Sequence, residues 1–362
     1  LPRLLRHPST SRRLPLFHST DPDQVRRISR QINPKKTMFI VSSKSGGTAE
    51  VNAFLAYFWE RTRKSVKVDA GKHFAAITDP GTSLEKTALA RNFRKIFFAD
   101  PTVGGRYSAL SIFGLLPAGL IGLDVNRILQ EAEGMLNACK ASVPAEQNPG
   151  LVLGSMLGQA ALGGKNKLTL VCDPEFEPFA DWLEQLIAES SGKLGRGIVP
   201  IVREKPLPLE NYGDDRIFVY LKSSGTKTSH IQRIIKRGFP ALIYVIKDQY
   251  QLAAEFYRWE VATAVACAVI RVNAFDQPDV QDNKARTMRK IEEYQRDGRL
   301  QEPAAAWRDG NISIFASENI HLDDAKNLEC ILAKFLASAQ KHDYVAINAY
   351  LPYDRAFVKV ID

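Results

Sequence analysis

Short apolar runs alternating with stretches of helical periodicity constrain this chain more than any other feature it has. Runs of this kind, with an amphipathic segment between one and the next, are how parallel strands read when helices cover both faces of a sheet. The expected strands are Met38–Val41, Phe74–Ile77, Ile96–Phe98, Leu168–Cys172, Ile198–Val202, Ile217–Leu221, Ala241–Ile246 and Tyr344–Ile347. Between Glu50 and Arg63, the residues Val51, Phe54, Leu55 and Phe58 fall at i, i+3, i+4 and i+7, an apolar stripe that predicts a crossover helix. Phe176, Phe179, Leu183, Leu186 and Ile187 continue that pattern after Pro174, and Gly192 stands where the helix should stop. The class is α/β, with two sheets of mainly parallel strands flanked by helices.

Residues 140–166 are rich in Ala, Gly, Asn and Pro and a new strand follows at Leu168, which puts a domain boundary close to 166. The expected organisation is a basic segment over 1–36, a first α/β domain over 37–165 and a second over 166–362 that ends in an extension. At 362 residues, 45% of them apolar, the chain can bury two cores.

Lys and Arg number 49 against 40 Asp and Glu, for a net charge of +9. Most of that excess lies in residues 1–36, where Arg3, Arg6, Arg12, Arg13, Arg26, Arg27, Arg30, Lys35 and Lys36 face only Asp21 and Asp23. The remainder is close to neutral, so no nucleic-acid partner is expected. Leu1–Arg13 is Arg-rich and acid-free, as the remnant of a targeting segment, a solvated linker or an arbitrary cut would be, and the cut is the favoured expectation. Cys139, Cys172, Cys267 and Cys330 are far apart and lack metal-ligand spacing, which removes a zinc ribbon and a dense disulfide framework and points to a reducing compartment. The longest apolar stretch, Leu110–Leu123, is interrupted by Gly114, Pro117, Gly119 and Gly122, so no membrane span is expected.

Four loops carry the chemistry. Ser42-Ser43-Lys44-Ser45-Gly46-Gly47-Thr48 lies between an expected strand and an amphipathic helix. Small residues, helix N-terminal amides, hydroxyls and one ammonium together make an anion cradle there, although a plain strand-to-helix loop with capping hydroxyls uses the same letters. Val103-Gly104-Gly105-Arg106-Tyr107-Ser108 follows a buried run, where ligands of open parallel sheets gather, so it and the Ser43 loop are expected to share one crevice, with Arg106 facing an anion. A turn with a solvated charge is the alternative. In Ala188-Glu189-Ser190-Ser191-Gly192-Lys193, Glu189 sits in the last turn of a helix, where the macrodipole opposes a negative charge; that is tolerable for a proton acceptor, or for a merely solvated acid. Asn273-Ala274-Phe275-Asp276-Gln277-Pro278, with Lys284 beyond it, reads from chemistry alone as a polar turn. The stretch Gly158–Lys165 is out of register for a P-loop and has Asn166 where a hydroxyl should follow, and no G-x-G-x-x-G follows a strand; triphosphatase and dinucleotide chemistry are both disfavoured.

Taken in order, S-K-S-G-G-T, V-G-G-R-Y-S, E-S-S-G-K and N-A-F-D-Q-P-x-V-x-x-x-K resemble the glucose-6-phosphate isomerase family over about residues 36–290. The stretch from Phe335–Ala337 to Asp343–Pro352 is similar to the isomerase half of bifunctional transaldolase and glucose-6-phosphate isomerase proteins, with no transaldolase barrel in this chain. The resemblance implies two sugar-isomerase (SIS) type sheets, a homodimer, a cytoplasmic setting, a sugar phosphate substrate, no cofactor or metal, and a place in glycolysis and gluconeogenesis. It implies that Ser43, Lys44, Ser45 and Thr48 hold the substrate phosphate and that Gly104 and Gly105 border the substrate. Arg106 would stabilise a cis-enediolate, Glu189 would move the proton between C2 and C1, and Gln277 and Lys284 would complete the pocket. The family's ring-opening histidine has no counterpart in Asn211–Arg216; His230 is the later candidate. Both ends of the chain read as truncated, with Val358–Asp362 stopping inside an element. The rival functions are a non-catalytic sugar-phosphate-binding module and an amino-sugar or other aldose isomerase.

Overall fold

A computed structural model of the chain describes residues 14–15, 20–317, 326–340, 342–348 and 350. Arg3, Arg6, Arg12, Arg13, Leu351, Pro352 and Val358–Asp362 lie outside the described residues. By contacts, the described residues through Phe275, together with Tyr350, make one compact unit, and those from Asp276 to Asn348 make another.

In the first unit, β1 (Phe39–Ser42), β2 (Phe74–Thr78) and β3 (Lys95–Phe98) form a parallel sheet in the order β1-β2-β3. The register sets Val41 beside Ala76 and Ala76 beside Ile96. β2 is buried along its whole length because it is central and covered on both faces, which is why its sequence is continuously apolar. α1 (Pro22–Gln31), α2 (Ala49–Val66) and α3 (Ser83–Ala90) accompany this sheet. The predicted stripe of α2 points inward, with Leu55 and Phe58 packed with Val41, Phe74, Ala76 and Leu84. α1 lies within the basic segment 1–36. Asp21 caps it through Gln24 N (2.8 Å), and Arg61 on α2 donates to Ser29 O (2.9 Å), so a short capped helix docks against α2.

α4 (Ile112–Leu120), α5 (Val125–Ala138) and α6 (Pro149–Leu162) follow. α4 takes up most of the Leu110–Leu123 stretch, and no described helix is long and apolar enough to cross a membrane. α6 lies within the Ala-, Gly-, Asn- and Pro-rich stretch 140–166. Asn148 caps it by accepting from Leu151 N (3.0 Å), with Pro149 at the first helical position. Its glycines serve packing: Gly150, Gly154 and Gly158 recur every fourth residue and make one bare face. A Cβ on Gly154 would lie 2.4 Å from Ala262 O, and one on Gly158 2.6 Å from Val269 Cβ.

β4 (Lys167–Cys172), α7 (Glu177–Ser191), β5 (Val199–Val202), β6 (Arg216–Ser223), α8 (Ser229–Lys236) and β7 (Ala241–Ile246) build the second sheet, wholly parallel, in the order β5-β4-β6-β7. α9 (Leu252–Val269) crosses beneath it and carries the bulk that fills the bare face of α6. Alternate residues of β6 serve two cores. Ile217, Val219 and Leu221 join Leu183, Leu186, Phe179 and Trp259, while Phe218 and Tyr220 join Tyr212, Ile231 and Ile234.

The second unit comprises α10 (Pro278–Asp297), the antiparallel hairpin β8 (Trp307–Asp309) and β9 (Ile312–Ile314), and α11 (Leu328–Ala337). Tyr344–Ile347, expected as a strand, forms none. Tyr344 is 63% and Ile347 87% exposed, and an apolar run becomes a strand only where an edge and a covering layer receive it.

Candidate functional site

All three strands of the first sheet point their carboxyl ends the same way, so the loops after them share one edge. In the loop after β1, Ser43 N continues the ladder to Ile77 O (3.0 Å) and the Ser43 hydroxyl meets that of Thr48 at 2.9 Å. Thr48 is the N-cap of α2, yet its hydroxyl is turned to Ser43 and caps no amide, so the first-turn N–H groups have no side-chain cap. Gly46 has φ of +68°, and a Cβ there would press to 2.8 Å of Leu84 N, so the loop closes only with glycine. Ser45 and Gly47 are exposed at its tip, and Ser45 Oγ accepts from Gly47 N at 3.3 Å.

Lys44 ties the strand ends together. Its ammonium pairs with Asp79 Oδ2 at 2.7 Å, in the loop after β2, and donates to Asp100 O at 2.9 Å, in the loop after β3. Lys44 thus links the loop after β1 to the segment that leads to Gly104. Asp79 was not marked by its residues as a site member; its only signal is an acid directly after an apolar strand. Its second oxygen, Oδ1, is buried with no hydrogen-bond partner.

Gly105–Tyr107 form a single tight helical turn, and a Cβ on Gly105 would meet nothing within 4 Å. Arg106 is no solvated turn residue, for it is 4% exposed. Its Nε donates to Ser190 Oγ at 2.8 Å and its Nη2 to Ala274 O at 2.6 Å, while Nη1 lies 3.5 Å from Glu189 Oε2. The Tyr107 hydroxyl lies 3.0 Å from Ser190 Oγ and donates to Ala274 O at 3.4 Å. Burial pushes the Tyr107 phenol up from its ordinary range, so it stays protonated and able to donate. Trp182 Nε1 closes the turn from behind on Arg106 O, at 3.2 Å.

α7 presents the acid. Phe179, Leu183, Leu186 and Ile187 bury one face, which leaves Glu189 in the last turn, half-buried, its Oε1 accepting from Gln185 Nε2 at 3.0 Å. The helix end is fixed by Ser191 Oγ, which donates to Ile187 O (2.7 Å) and accepts from Ile198 N (2.9 Å). Lys193, buried, donates from Nζ to Ser190 O at 2.8 Å and to Asn273 O. Three of the four sequence motifs therefore meet around Arg106: its own loop, the end of α7 and the Asn273–Phe275 segment. Ser190 and Lys193 stood in the E-S-S-G-K letters without a part assigned to them.

His230 lies elsewhere, on the first turn of α8, with its Nδ1 3.4 Å from Arg233 Nη2; burial first, then Arg233, lowers its pKa. Gln277 and Lys284 belong to the second compact unit, Gln277 preceding α10 and Lys284 exposed on that helix.

Among known proteins, a family model described as Phosphoglucose isomerase matches residues 3–198. A glucose-6-phosphate isomerase of Carboxydothermus hydrogenoformans is 31% identical over 316 residues, covering 74% of this chain and 68% of that protein. One from Citrifermentans bemidjiense is 32% identical over 249 residues, or 66% of this chain and 44% of that protein. In fold, the chain is similar to a hypothetical protein from Thermus thermophilus, with a TM-score of 0.68, 23% identity and 75% of each chain covered. It is also similar to a glucose-6-phosphate isomerase from Chlamydia trachomatis, with a TM-score of 0.63 and 19% identity over 76% of this chain and 63% of that one.

Proposed function

The chain belongs to the phosphoglucose isomerase family, and from that premise we propose that it interconverts glucose 6-phosphate and fructose 6-phosphate through a cis-enediolate. The observation that carries this reading is the pairing of Glu189 with Arg106, a half-buried carboxylate within 3.5 Å of a buried guanidinium. Moving a proton between adjacent carbons needs a base at the C–H bond, a cation where the enediolate oxygens gather charge, and an anchor that holds the rest of the substrate still. We assign the base to Glu189, which takes the proton from C2 and returns it to C1. Arg106 Nη1 supports the charge on the enediolate, a place its other two bonds fix in advance.

Ser43, Lys44, Ser45 and Thr48 are the proposed phosphate anchor, supported by the uncapped amides of α2 and the exposed tip of that loop. Gly104 and Gly105 border the sugar, where the open space over Gly105 suits a ligand. Gln277 and Lys284 are assigned to the pocket on the family resemblance. Ring opening falls to none of the residues gathered round Arg106, and His230 is the candidate left for it. The same resemblance supports a cytoplasmic homodimer with a transaldolase fused to the isomerase module, and a division of the isomerase near residue 166.

Glu189→Gln tests the reading. It should abolish exchange of the substrate C2 hydrogen with deuterated water, while affinity for a phosphosugar inhibitor stays within a few-fold of wild type. A wild-type protein that binds the phosphosugar but exchanges no hydrogen would instead be a non-catalytic binding module. Turnover of glucosamine 6-phosphate alone would move the assignment to an amino-sugar isomerase.

A further inference from the structure

We propose that Lys193 is a positioning residue that sets how the Arg106 guanidinium is held beside Glu189; the proposal deepens the isomerase reading and rests on it. A guanidinium is planar, so fixing two of its nitrogens fixes the direction of the third. In Arg106 the two fixed nitrogens are Nε, on Ser190 Oγ, and Nη2, on Ala274 O. Nη1 then reaches Glu189 only while Ser190 and Ala274 keep their separation.

Those two anchors belong to different elements, the last turn of α7 and the segment after α9. Lys193 Nζ bridges the same two elements one atom group away: it donates to Ser190 O and to Asn273 O, the carbonyl preceding that of Ala274. The lysine is itself held in place. Its backbone exchanges hydrogen bonds with Arg196 in both directions, at 2.9 Å each, through a turn that passes Leu194 at φ +55° and Gly195 at φ +70°. From the same turn Arg196 Nη1 donates to Ile270 O at 3.0 Å, at the end of α9. Three cations thus hold the carbonyls of Ile270, Asn273 and Ala274, and Lys193, like Arg106, also holds the helix that carries Glu189. Its place on the last-turn carbonyl of α7 is also where a cation suits a helix end.

The phosphate loop lies on β1 and touches none of these bonds, so loss of Lys193 should leave substrate capture intact and slow the proton transfer. In the full-length chain, Lys193→Met should lower kcat on the order of 30-fold, as expected of a small misplacement at the reacting centre, with KM for fructose 6-phosphate within about threefold of wild type. Lys193→Gln, which can still donate to one carbonyl, should recover part of the loss. A kcat within threefold of wild type in Lys193→Met, or a loss expressed in KM instead of kcat, overturns the proposal. Amide hydrogen exchange supplies a readout independent of turnover. Phe275 N donates to Asn273 Oδ1 at 3.0 Å, and in Lys193→Met its exchange should accelerate at least tenfold while the amides of α2 are unchanged. Unchanged exchange at Phe275 overturns the clamp; acceleration throughout the molecule overturns it too, by making the lysine a general stabiliser. If wild type itself turns over no hexose phosphate, the isomerase reading fails, and the Phe275 measurement still decides whether Lys193 holds the segment.

Discussion

Arg106 and Glu189 meet at 3.5 Å with very different access to solvent: the arginine side chain is 1% exposed, the glutamate 29%. The cation is buried and anchored on Ser190 Oγ and Ala274 O, whereas the acid can reach outward. Such asymmetry suits a pair in which the base moves and the electrostatic support does not.

Arg106→Lys should therefore cost both stability and rate. A lysine cannot serve Ser190 Oγ, Ala274 O and Glu189 together, and the buried acceptors it abandons should lower unfolding free energy by about 3 kcal/mol in urea titrations. The rate constant kcat should fall about 100-fold or more in the glucose 6-phosphate assay.

Asp79→Asn should tighten substrate binding. Asp79 holds the Lys44 ammonium at 2.7 Å, so it would compete with a phosphate bound at the proposed anchor, and the amide keeps the shape while removing the charge. KM for fructose 6-phosphate should fall about three- to tenfold with kcat little changed. A rise in KM would mean that Asp79 orients Lys44 instead.

Two glycines should respond in opposite directions. Gly154→Ala pushes a methyl to 2.4 Å of Ala262 O and should destabilise the fold by about 3 kcal/mol. Gly134→Ala, inside α5 with nothing within 4 Å, should stabilise it by roughly 0.5–1 kcal/mol. Thermal unfolding of the two variants side by side checks both signs.

Glu260, on α9, has Oε1 buried without a partner, and burial pushes its pKa up from 4.5 to about 8. The unfolded chain ionises this acid above about pH 4.5 while the folded chain keeps it protonated, so folding takes up a proton across that window. Stability from this group is full below the lower value and declines as pH rises to about 8, by at most about 1.4 kcal/mol per pH unit. Glu260→Gln should flatten that decline, as followed by urea midpoints at about pH 5, 6.5 and 8.

The letters disclosed what burial writes directly into composition. β2 and β6 read as strands because they are covered on both faces, and α7 because Leu183, Leu186 and Ile187 keep one side. What they concealed was pairing between distant segments. α6 was not legible as a helix because Gly150, Gly154 and Gly158 have poor helix propensity, and only the valines of α9 explain why bare positions are wanted. Arg106 looked equally suited to solvent or to an anion, since its partners Ser190 and Ala274 are 84 and 168 residues away. The hairpin β8–β9 went unread although Asp309-Gly310-Asn311-Ile312 carries a recognisable turn, with Gly310 at φ +53°. Tyr344–Ile347 shows the converse, an apolar run that no sheet takes up.

The glycine face of α6 acts at a distance as a spacer gauge. α9 rests on it, and the last turn of α9 runs straight into the carbonyls that Arg196, Lys193 and Arg106 grip. Every atom added along that face would lift the stem from which the gripped segment hangs, so side-chain volume far from any sugar sets the depth at which the guanidinium is seated.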